Sequence, residues 1–403
     1  MISALKKAHG HTRTRKRAVV AVQVAVLAVV LMGFAALTID VGMMYNARGD
    51  LQRAADAGAL AGAYAYTTDE MMRVRMGSDG NITSVIGYAQ GGSTQYSGVN
   101  PSIGLPSTYL DPSDIRTGWL NVTSGTQPIQ TNSSPDVFNA VEVTVRRQGA
   151  ASEGGNGAVP FSFATIFGLI SGETTATATA VFDDRFAGFR VVEGDTGVLP
   201  FTIHEDAFAS ELANGGDSYG YDGSTESVTH ASDDIREIRL YPYPLSGAGY
   251  TEGDGNFGVL NIGTGNQGVS AESEQILNGV PPSDFEAEIG TSDLTFLDET
   301  GSQVSYDITG SPGLEATLTT PIEAIVGQVV GFFLHDNVVL SGSNATYTIT
   351  QLRFGRVMDI RLTGPPHQRG LFIQPTSYVG SSVIIDEDAP SSDGLVGRIV
   401  LAR

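Results

Sequence analysis

Between Ala18 and Ile39 the chain reads AVVAVQVAVLAVVLMGFAALTI, 22 residues without a charge. Only Gln23 and Thr38 in this run are clearly polar. Wound as an α-helix at 1.5 Å per residue, it spans about 33 Å, enough to cross a hydrocarbon core of roughly 30 Å. Lys6, Lys7, Arg13, Arg15, Lys16 and Arg17 precede it with no acid among them. Basic flanks stay on the cytoplasmic side, so the sequence predicts a cytoplasmic tip over 1–17, a transmembrane helix over 18–39, and everything beyond residue 40 outside. A cleaved signal peptide is the competing reading. Its apolar region would run about 7–15 residues and end at a small-residue A-x-A site. The run here is longer, and Ala35–Asp40 carries no clean site, so an uncleaved anchor is expected.

That division reframes the charge. The formal net charge of −21 separates into +6 before the apolar run and −27 after it. No lysine follows Lys16. An acidic body argues against nucleic acid as a partner, because phosphate binding needs a basic face. The absence of cysteine excludes disulfides, thiolate metal sites and a cysteine nucleophile.

Past the apolar run, Asp40–Met76 contains no proline and is rich in helix formers. It is expected to continue the membrane helix as one long rod. Small residues recur every fourth position, as Ala55, Ala59 and Ala63 and, beside them, Ala54, Gly58 and Gly62. Such a stripe lets another helix or a sheet approach closely. It serves either as the buried face of a helix within its own domain or as an intermolecular face.

The order of these features resembles a known family. A basic flank and an apolar span followed by FAALTIDVGMMYNARGDLQRAADAGALAGA is similar to the N-terminal signature of TadE/TadG-like proteins of the tight-adherence (Flp) pilus assembly system. The residues that carry the resemblance are Ala35–Ala36, Asp40–Val41–Gly42, Tyr45, Leu51–Gln52 and Ala54–Ala55–Asp56–Ala57. It covers about residues 17–65. The resemblance implies a single-pass bacterial envelope protein that is an accessory component of pilus assembly or anchoring, with no enzymatic activity. Anchor and helix-packing roles then fall to Gln23, Asp40, Gly42, Ala55, Gly58, Ala59 and Gly62. Implied partners are the lipid bilayer and other pilus or envelope proteins, met through the long helix and the distal domain.

Two departures from related proteins are visible. Pilin-like relatives are cut after Gly and carry Glu at the fifth mature position. Here Arg17 precedes Ala18 and the polar residue is Gln23. Longer relatives with a von Willebrand-type domain use D-x-S-x-S to hold a metal. Asp222-Gly-Ser224-Thr-Glu226 fails that pattern at its last position.

The remaining chain reads as α+β. Residues 77–135 are rich in Gly, Ser, Thr, Asn and Pro and are expected to be loops around short elements. VFNAVEVTVRR alternates Val141, Val143 and Val145 against Glu142, Thr144 and Arg146, the pattern of a half-buried strand. TTATATAVFDD alternates Ala176, Ala178, Ala180 and Phe182 with more polar neighbours in the same way. An apolar helix or turn at Phe161–Ile170 lies between the two. A long helix packed on an antiparallel sheet over 40–187 and a β-rich, sandwich-like distal domain over 188–403 are therefore expected. Distal strands are predicted at Val198–Ile203, Ile235–Tyr241, Gly258–Ile262, Leu294–Phe296, Ala316–Leu318, Ile325–Leu334, Thr346–Leu352, Met358–Leu362 and Val383–Ile385.

Chemical motifs are weak. Gly263-Thr-Gly265-Asn-Gln-Gly268 and Gly253-Asp-Gly255-Asn-Phe-Gly258 both match the dinucleotide fingerprint. With this glycine content roughly 0.8 matches arise by chance, and neither continues into a strand ending in an acid. Gly216-Asp-Ser218-Tyr-Gly220 matches the nucleophile elbow, but the loop sequence ELANGG precedes it where a hydrophobic strand is needed. No catalytic residue, cofactor or small-molecule substrate is expected. Calcium is the one ligand left open, by the acids Asp217, Asp222, Glu226, Asp233, Asp234 and Asp386–Asp388. The main functional expectation is the pilus-assembly component. The alternative is a membrane-tethered adhesin whose distal domain binds an external ligand.

Overall fold

A computed structural model describes residues 11–103, 110–122, 128–149, 157–193, 197–240, 258–263, 269–298, 300–310, 316–339, 345–363 and 369–402. Helix α1 runs His11–Ala63. It is the one helix among the described residues that is long and apolar enough to cross a membrane. The side chains from Val20 to Ile39 are almost all exposed, so this apolar surface is left uncovered by the described residues.

The rod does not continue to Met76. It passes into a 3-10 turn at Tyr64–Thr67, and a separate helix α2 starts at Asp69 and ends at Arg75. Thr68 explains the break. Its extended backbone leaves the helix, and its hydroxyl accepts from the Met71 N–H at 3.4 Å, a capping contact. Asp69 and Glu70 then place negative charge in the first turn of α2.

A second difference lies in the Gly- and Ser-rich region. Helix α3 occupies Ile82–Gly98, 17 residues that composition assigns to loops. Four glycines weaken it intrinsically, so tertiary packing must hold it. Gly92 lets its backbone approach α1: a Cβ there would stand 3.1 Å from the Ala61 carbonyl oxygen. The Ser97 hydroxyl donates to the Ala54 carbonyl at 2.9 Å.

The chain divides into two compact units. The first comprises 1–58, 94–115 and 143–178, and the second 59–93, 116–142 and 179–403. A five-stranded sheet has the order Ile115–Gly118, Ala140–Arg147, Thr174–Asp183, Val396–Ala402, Tyr378–Val379. Both strands expected from alternation are present, with Val141, Val143, Val145, Ala176, Ala178, Ala180 and Phe182 buried. The strand Val396–Ala402 returns from the end of the chain to pair antiparallel with Thr179–Asp183.

The large core belongs to the second unit. A six-stranded sheet has the order Ile238–Arg239, Gly370–Pro375, Thr346–Arg361, Val329–Val339, Val198–His204, with Tyr306–Thr309 also pairing Thr346–Arg361. Val198–His204 pairs parallel to Val329–Val339; the other pairings are antiparallel. A three-stranded sheet of Asp293–Thr295, Phe186–Arg190 and Val383–Ile385 packs on it through Phe189, whose ring lies 5.2 Å from Phe354 and 5.7 Å from Tyr378. Helices pack there too. Phe208 of Glu205–Asn214 meets Phe332 at 6.0 Å, and Phe285 of Pro282–Ile289 meets Phe333 at 6.1 Å. Adjacent residues of one strand point to opposite faces, so both faces of this sheet are covered.

Some expected strands shift. Ala316–Leu318 is a 3-10 turn leading into the short helix Thr319–Glu323, where Pro321 fits the first helical turn. The two segments 346–352 and 358–362 form one strand, Thr346–Arg361. Of Ile235–Tyr241, only Ile238–Arg239 is a strand, and Tyr241 lies outside the described residues. Gly258–Ile262 contributes isolated bridges, Val259 to Phe201 and Leu260 to Gly310.

Candidate functional site

The residues singled out on α1 separate into three settings. Gln23 and Gly42 are exposed, and no atom lies within 4 Å of where a Gly42 Cβ would stand. Ala55, Gly58, Ala59 and Gly62 are buried inside the protein. Gly62 is the tightest of these: a Cβ would stand 2.3 Å from Ser93 Oγ, 3.0 Å from Val141 Cγ1 and 3.2 Å from the Ala89 carbonyl oxygen. At Gly62 the small-residue stripe is thus occupied from within the chain by α3 and the strand Ala140–Arg147.

Asp40 is the third setting. It ends the apolar run, yet its side chain is only 2% exposed. Its carboxylate accepts three backbone N–H groups from a segment more than a hundred residues away: Ser162 at 2.8 Å, Phe163 at 3.0 Å and Ala164 at 2.6 Å. Burial pushes this carboxyl up, but the three N–H donors outweigh burial and hold it below the usual carboxylate range. The sequence marked Asp40 by position, but gave no signal for its partner.

That partner is the tip of a hairpin. Val159–Pro160 pairs antiparallel with Ser171–Gly172, and the Phe161 N–H donates to the Ile170 carbonyl at 3.0 Å. The tip holds a 3-10 turn, Ala164–Phe167, closed by Gly168 in the left-handed region at φ 83°. Asp40 therefore satisfies the N–H groups that open this turn, the role a capping carboxylate plays at a helix start. Gly172 seats the stem against α1; a Cβ there would press on the Phe161 ring at 2.6 Å and on Met44 Sδ at 3.0 Å.

In the second unit, a cleft of about 800 Å³ is lined by Arg75, Phe182, Asp184, Arg236 and Asp393 among others. The Arg75 guanidinium lies 5.6 Å from the Phe182 ring centroid and donates to the Gly394 carbonyl at 3.4 Å. Burial lowers its pKa to about 10, against the pull of Asp184 and Asp393. Asp184 and Asp393 thus offset the Arg75 charge within the cleft.

Ser218 and Asp222 of the motifs make local backbone contacts. Ser218 precedes the short strand Gly220–Asp222, and its N–H donates to Glu237 Oε2 at 2.9 Å. Burial raises Glu237 to about 7, although two N–H groups favour its charged form. Asp222 accepts from the Ser224 N–H at 2.8 Å and hydroxyl at 2.6 Å, an Asx turn. Residues 264–268 and 251–257 of the two glycine motifs lie outside the described residues. Among the described residues, no group of three or more His, Asp or Glu side chains is placed to hold a metal ion.

No curated protein and no solved structure matches this chain. Residues 18–65, the apolar span together with Asp40 and the small-residue stripe, match the model of the Tad family, "Putative Flp pilus-assembly TadE/G-like".

Proposed function

We propose that this chain is a non-catalytic, single-pass envelope component that supports Flp pilus assembly or anchoring in a bacterium. Its N-terminal tip is cytoplasmic and its body lies on the far side of the membrane. The observation that carries this reading is the coincidence of the family match over 18–65 with the one exposed apolar helix able to span a bilayer. The charge asymmetry, +6 before the span and −27 after it, supports the orientation. The α2 region and the sheets of the second unit would present surfaces to other envelope proteins.

Deleting residues 18–65 should abolish both membrane retention and piliation. A variant that becomes soluble yet still supports piliation would overturn the assignment. A purified fragment of the distal region that binds cell surfaces unaided would favour an adhesin instead. Protease accessibility in spheroplasts tests orientation: the body should be cut from outside, the tip only after lysis.

A further inference from the structure

The hairpin held by Asp40 carries an unusual surface. From Val159 to Gly172 there is no charged residue. Ile166, Phe167 and Ile170 are 79%, 78% and 74% exposed, and Phe163 and Leu169 are exposed as well. This cluster sits in the same unit as the membrane helix. Contiguous exposed apolar residues of this kind mark a surface that meets a membrane or a partner.

Its position decides between them. Asp40 is the first charged residue after Arg17, so it marks where α1 leaves the hydrocarbon. The Ala164 N–H is 2.6 Å from its carboxylate. Ile166 follows two residues later, at most about 7 Å further along the chain. The apolar tip is therefore fixed at the depth where the bilayer changes from acyl chain to headgroup. Asp40 ties it to a stretch of α1 whose Leu37, Ile39 and Val41 are exposed on either side of Asp40 in sequence, and Tyr45 is exposed just beyond. Aromatic and aliphatic side chains collect at that depth. The one charge in the joint, Asp40, has replaced water by three N–H donors, so it can lie at the boundary without its hydration shell.

We propose that the Phe163–Ile170 tip is a second membrane contact, dipping into the outer interface of the same bilayer that α1 crosses, with lipid as its occupant. This rests on the membrane-spanning reading of α1. Two contacts on one rigid joint restrict the tilt and rotation of α1 in a way that a single helix cannot.

The chain's lack of cysteine makes the test direct. Full-length Ile166→Cys and Ile170→Cys variants are labelled with an environment-sensitive fluorophore and reconstituted in phosphatidylethanolamine/phosphatidylglycerol vesicles. Emission is then challenged with lipid-borne spin labels and with aqueous iodide. Val29→Cys, within the apolar span, and Arg53→Cys, about 20 Å along α1 from Asp40, serve as references. The expected result is loss of emission at 166 and 170 with shallow lipid quenchers and little loss with iodide, the reverse of Arg53→Cys. Quenching at 166 and 170 by iodide alone overturns the proposal. Protection from both quenchers also overturns it and indicates a protein occupant. Failure of lipid quenching at Val29→Cys counts against the spanning reading alone and is read independently of 166 and 170.

Discussion

Substituting Gly62 tests whether the small-residue stripe is an internal seam. An added Cβ meets Ser93 Oγ, Val141 Cγ1 and the Ala89 carbonyl, at the distances given above. Ser93 Oγ is buried with no hydrogen-bond partner, so it can rotate away at little cost. Gly62→Ala should therefore be close to neutral: crowding of about 1 kcal/mol is offset by the similar helix-propensity gain over glycine. Gly62→Leu has no such escape, because the Val141 side chain and a backbone carbonyl bound the space. Overpacking of ~1–3 kcal/mol against a propensity gain of ~0.8 kcal/mol leaves a net loss of roughly 0.2–2 kcal/mol. Gly91 in α3 is the reference. It is exposed and nothing lies within 4 Å of its Cβ position, so Gly91→Ala should stabilise by roughly 0.5–1 kcal/mol. Denaturant unfolding in mild detergent, followed by the fluorescence of the single tryptophan, Trp119, reads all three in the same unit. The midpoints should fall in the order Gly91→Ala, wild type with Gly62→Ala, then Gly62→Leu. A Gly62→Leu protein that unfolds at or above the wild-type midpoint, but loses a pilus partner in pull-down, would refute the internal seam.

Asp40→Asn keeps the shape of the joint but points an NH2 group at N–H donors; amide exchange at Ser162, Phe163 and Ala164 should accelerate at least roughly tenfold by mass spectrometry. Because the folded-state carboxyl titrates below its ordinary value of 3.8, its contribution is present above that pH and disappears as pH falls through the lowered value. His335 gives the opposite kind of acid sensitivity. It is buried, its Nδ1 is 2.9 Å from Thr202 Oγ1, and burial with help from His204 lowers its pKa to about 3. An unfolded chain binds that proton near 6.5, so stability falls as pH drops from 6.5 toward 3, by up to roughly 4 kcal/mol. His335→Gln should flatten that part of the stability profile; an unchanged slope would show that other groups carry it. Phe189→Ala, which empties the contact between the two sheets, should cost ~3–5 kcal/mol in the same unfolding experiment.

The sequence made local periodicity visible and long-range partnership invisible. The apolar span was legible from 22 residues without a charge, and the strands at Ala140–Arg147 and Thr174–Asp183 because burial there follows a short repeat. Helix α3 was not, because four glycines and several serines argue for loop, and its packing on Ala54, Ala61 and Gly62 of α1 reverses that preference. The end of α1 was legible in principle: Thr68 before Asp69 and Glu70 is a capping signal inside a proline-free stretch. At the candidate site, the sequence located Asp40 and the apolar run Phe161–Ile170 separately. Nothing local links a carboxylate to N–H groups 122 to 124 positions away.

The return of Val396–Ala402 to the strand Thr174–Asp183 sets a temporal constraint on biogenesis. Asp183 pairs with Arg398, and everything between them must be synthesised before that edge closes. Synthesis runs from the N-terminus, so Thr179–Asp183 waits with an open edge while the intervening residues are made. Ala180, Val181 and Phe182 of that segment are buried in the finished sheet, so the waiting edge is largely apolar. Truncation a few residues short of the end would leave the edge permanently open, and quality-control proteases would meet an exposed strand rather than a finished sheet.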